Sequence, residues 1–420
     1  MSSNTKHVMI IGGGVIGLCS AYYLRKSGCE VTVVDRSAED DSSGCSYGNA
    51  GFIVPSHFIP LAAPGMMSQG LKWMLKSDSP FYVKPRLDLD LIKWTLHFQR
   101  AATKARVDMV APVLRDISLR SKTLFHEMSK DFQFQMKDSG LRMMYKTEAC
   151  RAEELELAEQ AAKLGIEAKE LTSTQVQSME SSLETNVIGA ITYPGDSSLN
   201  PSEFMHSLWQ SLIGSGVKFI YNTEVLQLKM DAGSISSLMT NSGELKADEF
   251  VLAGGTWSQN LAKQIGLNLP LQAGKGYNVT VQNPAQQVSM PSILCEAKVT
   301  VSPFESALRF GGTMELSGLD KSISQVRLNA IKKAVINYFP NYDSTVLDVP
   351  KPWAGLRPCS PDGLPYIGKT CKADNLIIAA GHAMLGLSLG PVTGEFVANT
   401  VVHRLQDHKV PCQLDPDRFL

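Results

Sequence analysis

The opening residues switch twice between unbroken and spaced apolar patterns. Residues 7–11 form a short continuous apolar run, as expected of a strand covered on both faces. Residues 15–26 carry apolar positions at helical spacing, and Gly28 closes them as a C-terminal stop. Residues 31–34 are a second apolar run that ends at Asp35. Strand, helix and strand within about 30 residues make a βαβ unit. Residues 37–60 lose the periodicity and are rich in Ser, Gly and Asn, which predicts an extended, close-packed loop.

Helical spacing returns over 71–76, 89–106 and 113–130. A strand is expected at 141–145, a charged helix at 147–164, and another helix at 201–213 with Pro201 in its first turn. Residues 217–221 read as a strand. Residues 225–240 and 244–245 suggest an antiparallel meander with turns at Asp231 to Gly233 and at Ser242-Gly243. A strand at 250–253 runs into Gly254. Strands at 276–281, 293–297, 298–302 and 308–312 suggest a second sheet, and 324–338 a helix. The end repeats the opening: a strand at 376–380, a glycine-containing loop at 381–386, and an apolar helix at 392–405. The pattern predicts a mixed α/β protein: a Rossmann-like domain interleaved with a second domain built on an antiparallel sheet with helices. The expected division is 1–60, 195–268 and 355–420 for the first, 61–194 and 269–354 for the second.

Composition narrows the partners. The chain has 420 residues, enough for two domains. Lys plus Arg is 40 and Asp plus Glu is 41, a formal net charge of −1. Nucleic acid is not expected, because phosphate binding wants an excess of basic residues. The 8 cysteines are scattered without a C-x-x-C pair, so no metal site is expected and a reducing compartment is. No apolar run reaches the length of a spanning helix. The residues from Val8 to Leu18 contain four glycines and no small-residue cleavage site, unlike a signal peptide. A cytoplasmic protein is expected.

Gly12-x-Gly14-x-x-Gly17 follows a strand and opens a helix. The first glycine allows the tight turn, the second lets backbone approach a pyrophosphate, and the third permits close helix–strand packing. Val15 and Ile16 lie in the first turn. Asp35, followed by Arg36, ends the second strand, where a carboxylate suits a ribose hydroxyl and disfavours a 2′-phosphate. The motif alone leaves NAD and FAD open. Gly48-Asn49-Ala50-Gly51 offers small side chains and backbone N–H groups that suit a flat ring. Arg357 stands in an otherwise apolar stretch and needs an anion, either a ligand carboxylate gripped by its planar fork or an internal acid.

The chain resembles the D-amino-acid oxidase superfamily of flavoproteins. Residues 8–36 are similar to its opening, and Ser43-Gly44-Cys45-Ser46-Tyr47-Gly48-Asn49-Ala50-Gly51 to its flavin-side loop. His57-Phe58-Ile59-Pro60-Leu61-Ala62-Ala63-Pro64-Gly65, Leu71-Lys72-Trp73-Met74 and the segment from Arg309 to Gly318 resemble bacterial D-amino-acid dehydrogenases. Trp353-Ala354-Gly355-Leu356-Arg357-Pro358, Asp362-Gly363, Ile367-Gly368 and Gly381-His382 resemble glycine oxidase and its relatives. These blocks span nearly the whole chain.

The resemblance implies FAD, held by the glycine motif, Asp35, Arg36, Ser43, Gly48 to Gly51, backbone at Val225, Gly254, and the loop with Gly381, His382, Leu385, Gly386, Leu387 and Ser388. Non-covalent attachment is implied, because the linking cysteine of sarcosine oxidases falls where this chain has Gly355. Arg357 would bind the substrate carboxylate, with Tyr277 sharing it. His57 stands where the dehydrogenases usually have tyrosine. The implied reaction is hydride transfer from Cα of a D-amino acid, or of a cyclic D-imino acid such as D-proline or its hydroxylated forms, to flavin N5. The electrons would pass to a quinone, a carrier or oxygen. Residues 61–75, with Met66, Met67, Trp73 and Met74, suit a pocket lid, a membrane-facing patch on the inner side, or plain core packing. Two other readings stay open: a glycine or sarcosine oxidase, and a non-catalytic FAD-binding protein.

Overall fold

His7–Ile11 sends alternate side chains to opposite faces of a sheet, and both faces are dry. Val8 and Ile10 pack with Leu18, Leu208 and Val397 from the helices Val15–Lys26, Pro201–Gly214 and Gly390–Val401. Met9 and Ile11 pack with Leu228 and Leu238 on the other side. That is why the run lacks polar alternation. A computed structural model of the chain describes residues 5–74, 79–349, 351–402 and 409–420. Among them, six strands form one sheet in the order Lys218–Ile220, Glu30–Val34, His7–Ile11, Glu249–Leu252, Ala373–Ala380, Tyr366–Thr370. The first five are parallel and the last antiparallel. The expected meander, Val225–Asp231, Ser234–Thr240 and Gly243–Leu245, forms its own antiparallel sheet over one face.

The second large sheet has nine strands. Its order is Trp353–Cys359, Gln272–Gln282, Ala307–Leu316, Val299–Pro303, Ser292–Leu294, Leu141–Tyr145, Gly189–Tyr193, Lys169–Thr172, and Phe81–Val83 adds to Ala307–Leu316. It is antiparallel except where Ser292–Leu294 meets Leu141–Tyr145 and where Phe81–Val83 joins. A small sheet of Phe52–Ile53, Ser197–Leu199 and Met136–Lys137 ties the early loop to the rest.

Several expectations shift. The helix expected over 89–106 stops at Ala101, and Lys104–Met128 starts anew because the Thr103 hydroxyl accepts from the Arg106 N–H. Pro112 sits inside that second helix without ending it, where Val110, Ala111 and Leu114 hold it to the core. The helix expected at 71–76 spans Met66–Met74, and residues 75 and 76 lie outside the described residues. The helix expected at 392–405 is Gly390–Val401, and 403–405 also lie outside them. Trp353–Cys359 went unread as a strand, because Gly355 and Pro358 break the period. As an edge strand it tolerates proline. The boundary drawn at 355 falls inside this strand, which belongs with the nine-stranded sheet. No helix among the described residues is long and apolar enough to cross a membrane.

Candidate functional site

A cavity of about 830 Å³ opens where the parallel strands end, bordered by Ile11, Val34, Ala253 and Ala380. The carboxyl ends of such strands are where α/β sheets bind ligands. From there it reaches across to the nine-stranded sheet. Gly12, Gly14, Val15, Ile16, Asp35, Arg36, Ser43, Gly48, Asn49, Ala50, His57, Val225, Gly254, Tyr277, Arg357, His382, Leu385, Gly386 and Leu387 all border it. Gly17, Gly51, Gly381 and Ser388 do not. A Cβ on Gly17 would lie 1.9 Å from the Gly12 carbonyl oxygen, so this glycine serves helix–strand approach. Gly51 and Gly381 are closed in by the Leu199 carbonyl and the Tyr366 ring. The Ser388 hydroxyl accepts from the Val54 N–H at 3.2 Å.

At the glycine-rich end, Asp35 shapes the loop. Its carboxylate accepts from Gly13 N–H at 2.5 Å and from Ser37 N–H at 2.7 Å. The helix Val15–Lys26 has no acid in its first turn, and Gly14 gives it no side-chain cap. Ser46 Oγ accepts from the Val15 N–H at 2.9 Å. Small residues, a helix N-terminus with its partial positive charge and a carboxylate fit a dinucleotide. Arg36 stacks its guanidinium 3.5 Å from the Trp257 ring, a contact the sequence did not announce.

The Gly48–Ala50 stretch is held from the nine-stranded sheet. Asn278 Nδ2 donates to the Gly48 carbonyl at 2.9 Å. Arg309 Nη1 donates to the carbonyls of Tyr47 at 2.9 Å and Asn49 at 2.5 Å, and its Nε to Thr280 Oγ1 at 3.0 Å. Arg309 is buried without a carboxylate partner among the described residues, and burial lowers its pKa to about 10. The Trp353 indole sits against both Gly48 and Gly355, and donates to the Ser43 carbonyl at 3.0 Å. Arg309 opens the segment that resembles D-amino-acid dehydrogenases, yet nothing in the pattern of the sequence assigns it this clamp.

At the other end, Arg357 has no carboxylate within ion-pair distance among the described residues. Its Nη1 donates to the Thr313 carbonyl at 2.9 Å, and burial lowers its pKa. Thr313 has φ of 68°, a strained value for a β-branched residue. The guanidinium lies across Gly276, where a Cβ would come within 2.1 Å of Nη2. Glycine at 276 is therefore what lets the fork reach the cavity. Among the described residues, no internal acid forms a salt bridge with Arg357.

Tyr277 borders the cavity, but its hydroxyl donates to Glu315 at 3.0 Å. Burial and that carboxylate raise its pKa. The donor is thus committed to a buried network with Lys275 and Arg327 rather than free to share a ligand carboxylate. His382 is pinned by Thr393, Nε2 to Oγ1 2.9 Å, and burial lowers its pKa to about 3, so it anchors its loop as a neutral ring. Cys359 does not border the cavity, and burial pushes its thiol up to about 12. Met66 and Met67 pack on the cluster around Leu91 and Trp94, while Met66 and Trp73 also border the cavity. No metal site was expected. The fold nevertheless brings Cys150, Glu154 and Cys295, all buried, within 4.8 Å of one another.

The sequence profile of the family described as DAO, FAD dependent oxidoreductase, matches residues 7–400. The D-amino acid dehydrogenase of Vibrio atlanticus (strain LGP32) is 33% identical over 415 residues, covering 96% of this chain and 97% of that protein. The D-amino acid dehydrogenase of Helicobacter pylori is 28% identical over 396 residues, 94% of each chain. Glycine oxidase from Geobacillus kaustophilus superposes with a TM-score of 0.79 at 22% identity, covering 99% of this chain and 100% of that one. L-proline dehydrogenase from P. horikoshii gives 0.73 at 19% identity, covering 99% and 98%. At these identities the solved structures speak for the fold alone.

Proposed function

The chain belongs to the DAO family of FAD-dependent oxidoreductases, and from that premise we propose that it oxidatively deaminates a D-amino acid or a cyclic D-imino acid such as D-proline. The observation that carries this reading is Arg357, a guanidinium bordering the cavity with no carboxylate at ion-pair distance among the described residues. A planar fork in that state selects a small carboxylate. The curated dehydrogenase relatives supply the amino-acid class and the D configuration.

FAD would be held non-covalently by Gly12 to Ile16, Asp35, Arg36, the Gly48–Ala50 stretch, Val225 and the loop from His382 to Leu387. Bound there, the flavin supplies a two-electron acceptor for the hydride that leaves Cα. The protein's part is positional. Arg357 fixes the carboxylate, Gly276 and the Thr313 carbonyl fix Arg357, and Tyr277 serves as wall rather than donor. Met66 and Trp73 border the cavity, where their apolar side chains would restrict water. Loss of hydride from Cα of the neutral amine leaves an iminium, which water converts to a 2-oxo acid and ammonium, or to the ring-opened product from a cyclic substrate.

The test is anaerobic flavin bleaching by D- and L-alanine, D- and L-proline, D-phenylalanine, glycine and sarcosine. Bleaching by D members above L members supports the reading. Bleaching by glycine or sarcosine alone, with hydrogen peroxide formed in air, replaces it with an oxidase. No bleaching by any of them leaves a non-catalytic flavoprotein. Reoxidation by a soluble quinone analogue against oxygen identifies the acceptor.

A further inference from the structure

One wall of the cavity carries a hydrogen-bonded chain that carboxylate binding does not use. His57 borders the cavity and is half-buried. Its Nδ1 lies 3.2 Å from Ser56 Oγ, and Ser56 Oγ donates to Asp196 Oδ2 at 2.5 Å. The Ser56 N–H donates to Asp196 Oδ1 at 3.1 Å, so serine and aspartate cannot swing apart. Asp196 is fully buried and meets no cation at ion-pair distance among the described residues. Lys122, whose charge acts on it, bonds to the Gly195 carbonyl and to Asp138 instead. A buried carboxylate with only serine donors is a poor stabilising device.

The hydrogen bonds also fix the tautomer. The Ser56 hydroxyl gives its proton to Asp196, so only a lone pair remains for His57. His57 Nδ1 must then carry the hydrogen, and Nε2 is the bare acceptor. Among the described residues no protein group bonds Nε2.

We propose that His57, Ser56 and Asp196 form a relay that removes the proton from the substrate ammonium group, with His57 touching substrate and Asp196 as the final acceptor. The proposal rests on an amino-acid substrate held by Arg357. An ammonium has no lone pair to drive hydride from Cα, so one N–H proton must leave first. It passes to His57 Nε2. The Nδ1 proton passes to Ser56 Oγ, and the Ser56 hydroxyl proton passes to Asp196 Oδ2. The amine gains its lone pair, Asp196 becomes neutral, and histidine and serine end uncharged. His57 is the catalytic residue of the chain, whereas Ser56 and Asp196 are positioning residues that act through it.

The electrostatics run in the same direction. Burial, aided by Lys298, lowers the His57 pKa to about 4, while burial raises that of Asp196 to about 7. A proton entering at His57 therefore comes to rest on Asp196. The other groups against the chain are Tyr193, kept neutral by burial, and the Lys122–Asp138 pair. Asp196 accepts only when ionised, so flavin reduction slows as pH falls through about 7.

The experiment follows anaerobic flavin reduction in the holoenzyme against pH, using whichever panel amino acid bleaches the flavin fastest. Ser56→Ala and Asp196→Asn are each expected to slow reduction about 100-fold at pH 7 and to recover at high pH, where free substrate is already deprotonated. Ser56→Thr is expected to restore the wild-type profile. Propionate, a carboxylate without an amine, is expected to perturb the flavin spectrum equally in all four proteins. If Asp196→Asn fails to fold with FAD, Ser56→Ala still decides, because its backbone N–H keeps Asp196 in place. Variants that react with the wild-type rate and pH profile overturn the relay alone. A wild type bleached by no amino acid overturns the amino-acid reading and the relay with it.

Discussion

At the glycine-rich end of the cavity, the ligand-facing groups are mostly backbone, and the residues that shape it lie close together in sequence. Gly12 to Ile16 and Asp35 share one βαβ unit, and the Asp35 carboxylate accepts from two of the loop's own N–H groups. At the opposite end the groups are side chains from distant segments. Arg357 comes from an edge strand, Gly276 and Thr313 from two neighbouring strands, and His57 from the early loop. Two arginines sharpen the contrast. Arg309 gives its hydrogen bonds to two loop carbonyls and a hydroxyl, and so holds protein to protein. Arg357 gives one bond to a carbonyl and meets no carboxylate at ion-pair distance among the described residues. On the proposed function, the backbone end would meet a cofactor that stays, and Arg357 a substrate that turns over.

The largest way to break this contrast is Arg357→Ala. Losing one partner of a buried charge pair costs roughly 2–5 kcal/mol, so kcat/KM on the best D-amino acid is expected to fall at least about 30-fold. FAD occupancy, read from the flavin-to-protein absorbance ratio, is expected to hold. Loss of FAD in this variant would merge the two ends into one structural unit.

Gly276→Ala comes next. The new methyl would fall inside the Arg357 guanidinium, which must turn away from Thr313. KM is expected to rise roughly tenfold, about 1.4 kcal/mol, with FAD still bound. Unchanged KM would show that the fork reaches substrate by another path.

How much of this was legible follows from the same contrast. The βαβ unit could be read because strand, helix, glycines and terminal acid lie within one short stretch, where local pattern and fold agree. Arg357 could be singled out as a cation in an apolar stretch, but its strand could not, since Gly355 and Pro358 hide the two-residue period. Tyr277 was expected to bind the carboxylate and is held instead by Glu315, a neighbour fixed by strand register and not by spacing in the chain. Asp196 lies 140 positions from Ser56 and nothing local joins them. Thr103 could have been found as the true helix start, because a threonine cap three residues before a free N–H is a local signal.

Arg309→Met tests the clamp. Three hydrogen bonds from a buried cation are lost, and two loop carbonyls lose their donor. FAD affinity is expected to drop by about 1–3 kcal/mol, seen as release on dilution or mild chaotrope, while KM for the amino acid changes less than FAD affinity does. The reverse ordering would place Arg309 on the substrate side.

Asp35→Ala is the smallest and most exacting. The carboxylate now accepts two backbone N–H groups, and the cavity lies on its other side. If it only shapes the loop, Asp35→Asn keeps an acceptor for one of those donors and restores most of the FAD affinity lost in Asp35→Ala, about 1 kcal/mol. If it also binds a ribose hydroxyl, Asp35→Asn loses a charged acceptor and falls measurably short of the wild type. Titrating FAD back into the stripped protein separates the two outcomes. The expected result is partial rescue, because a carboxylate with two oxygens and about four acceptor sites has capacity left after the two bonds to the loop.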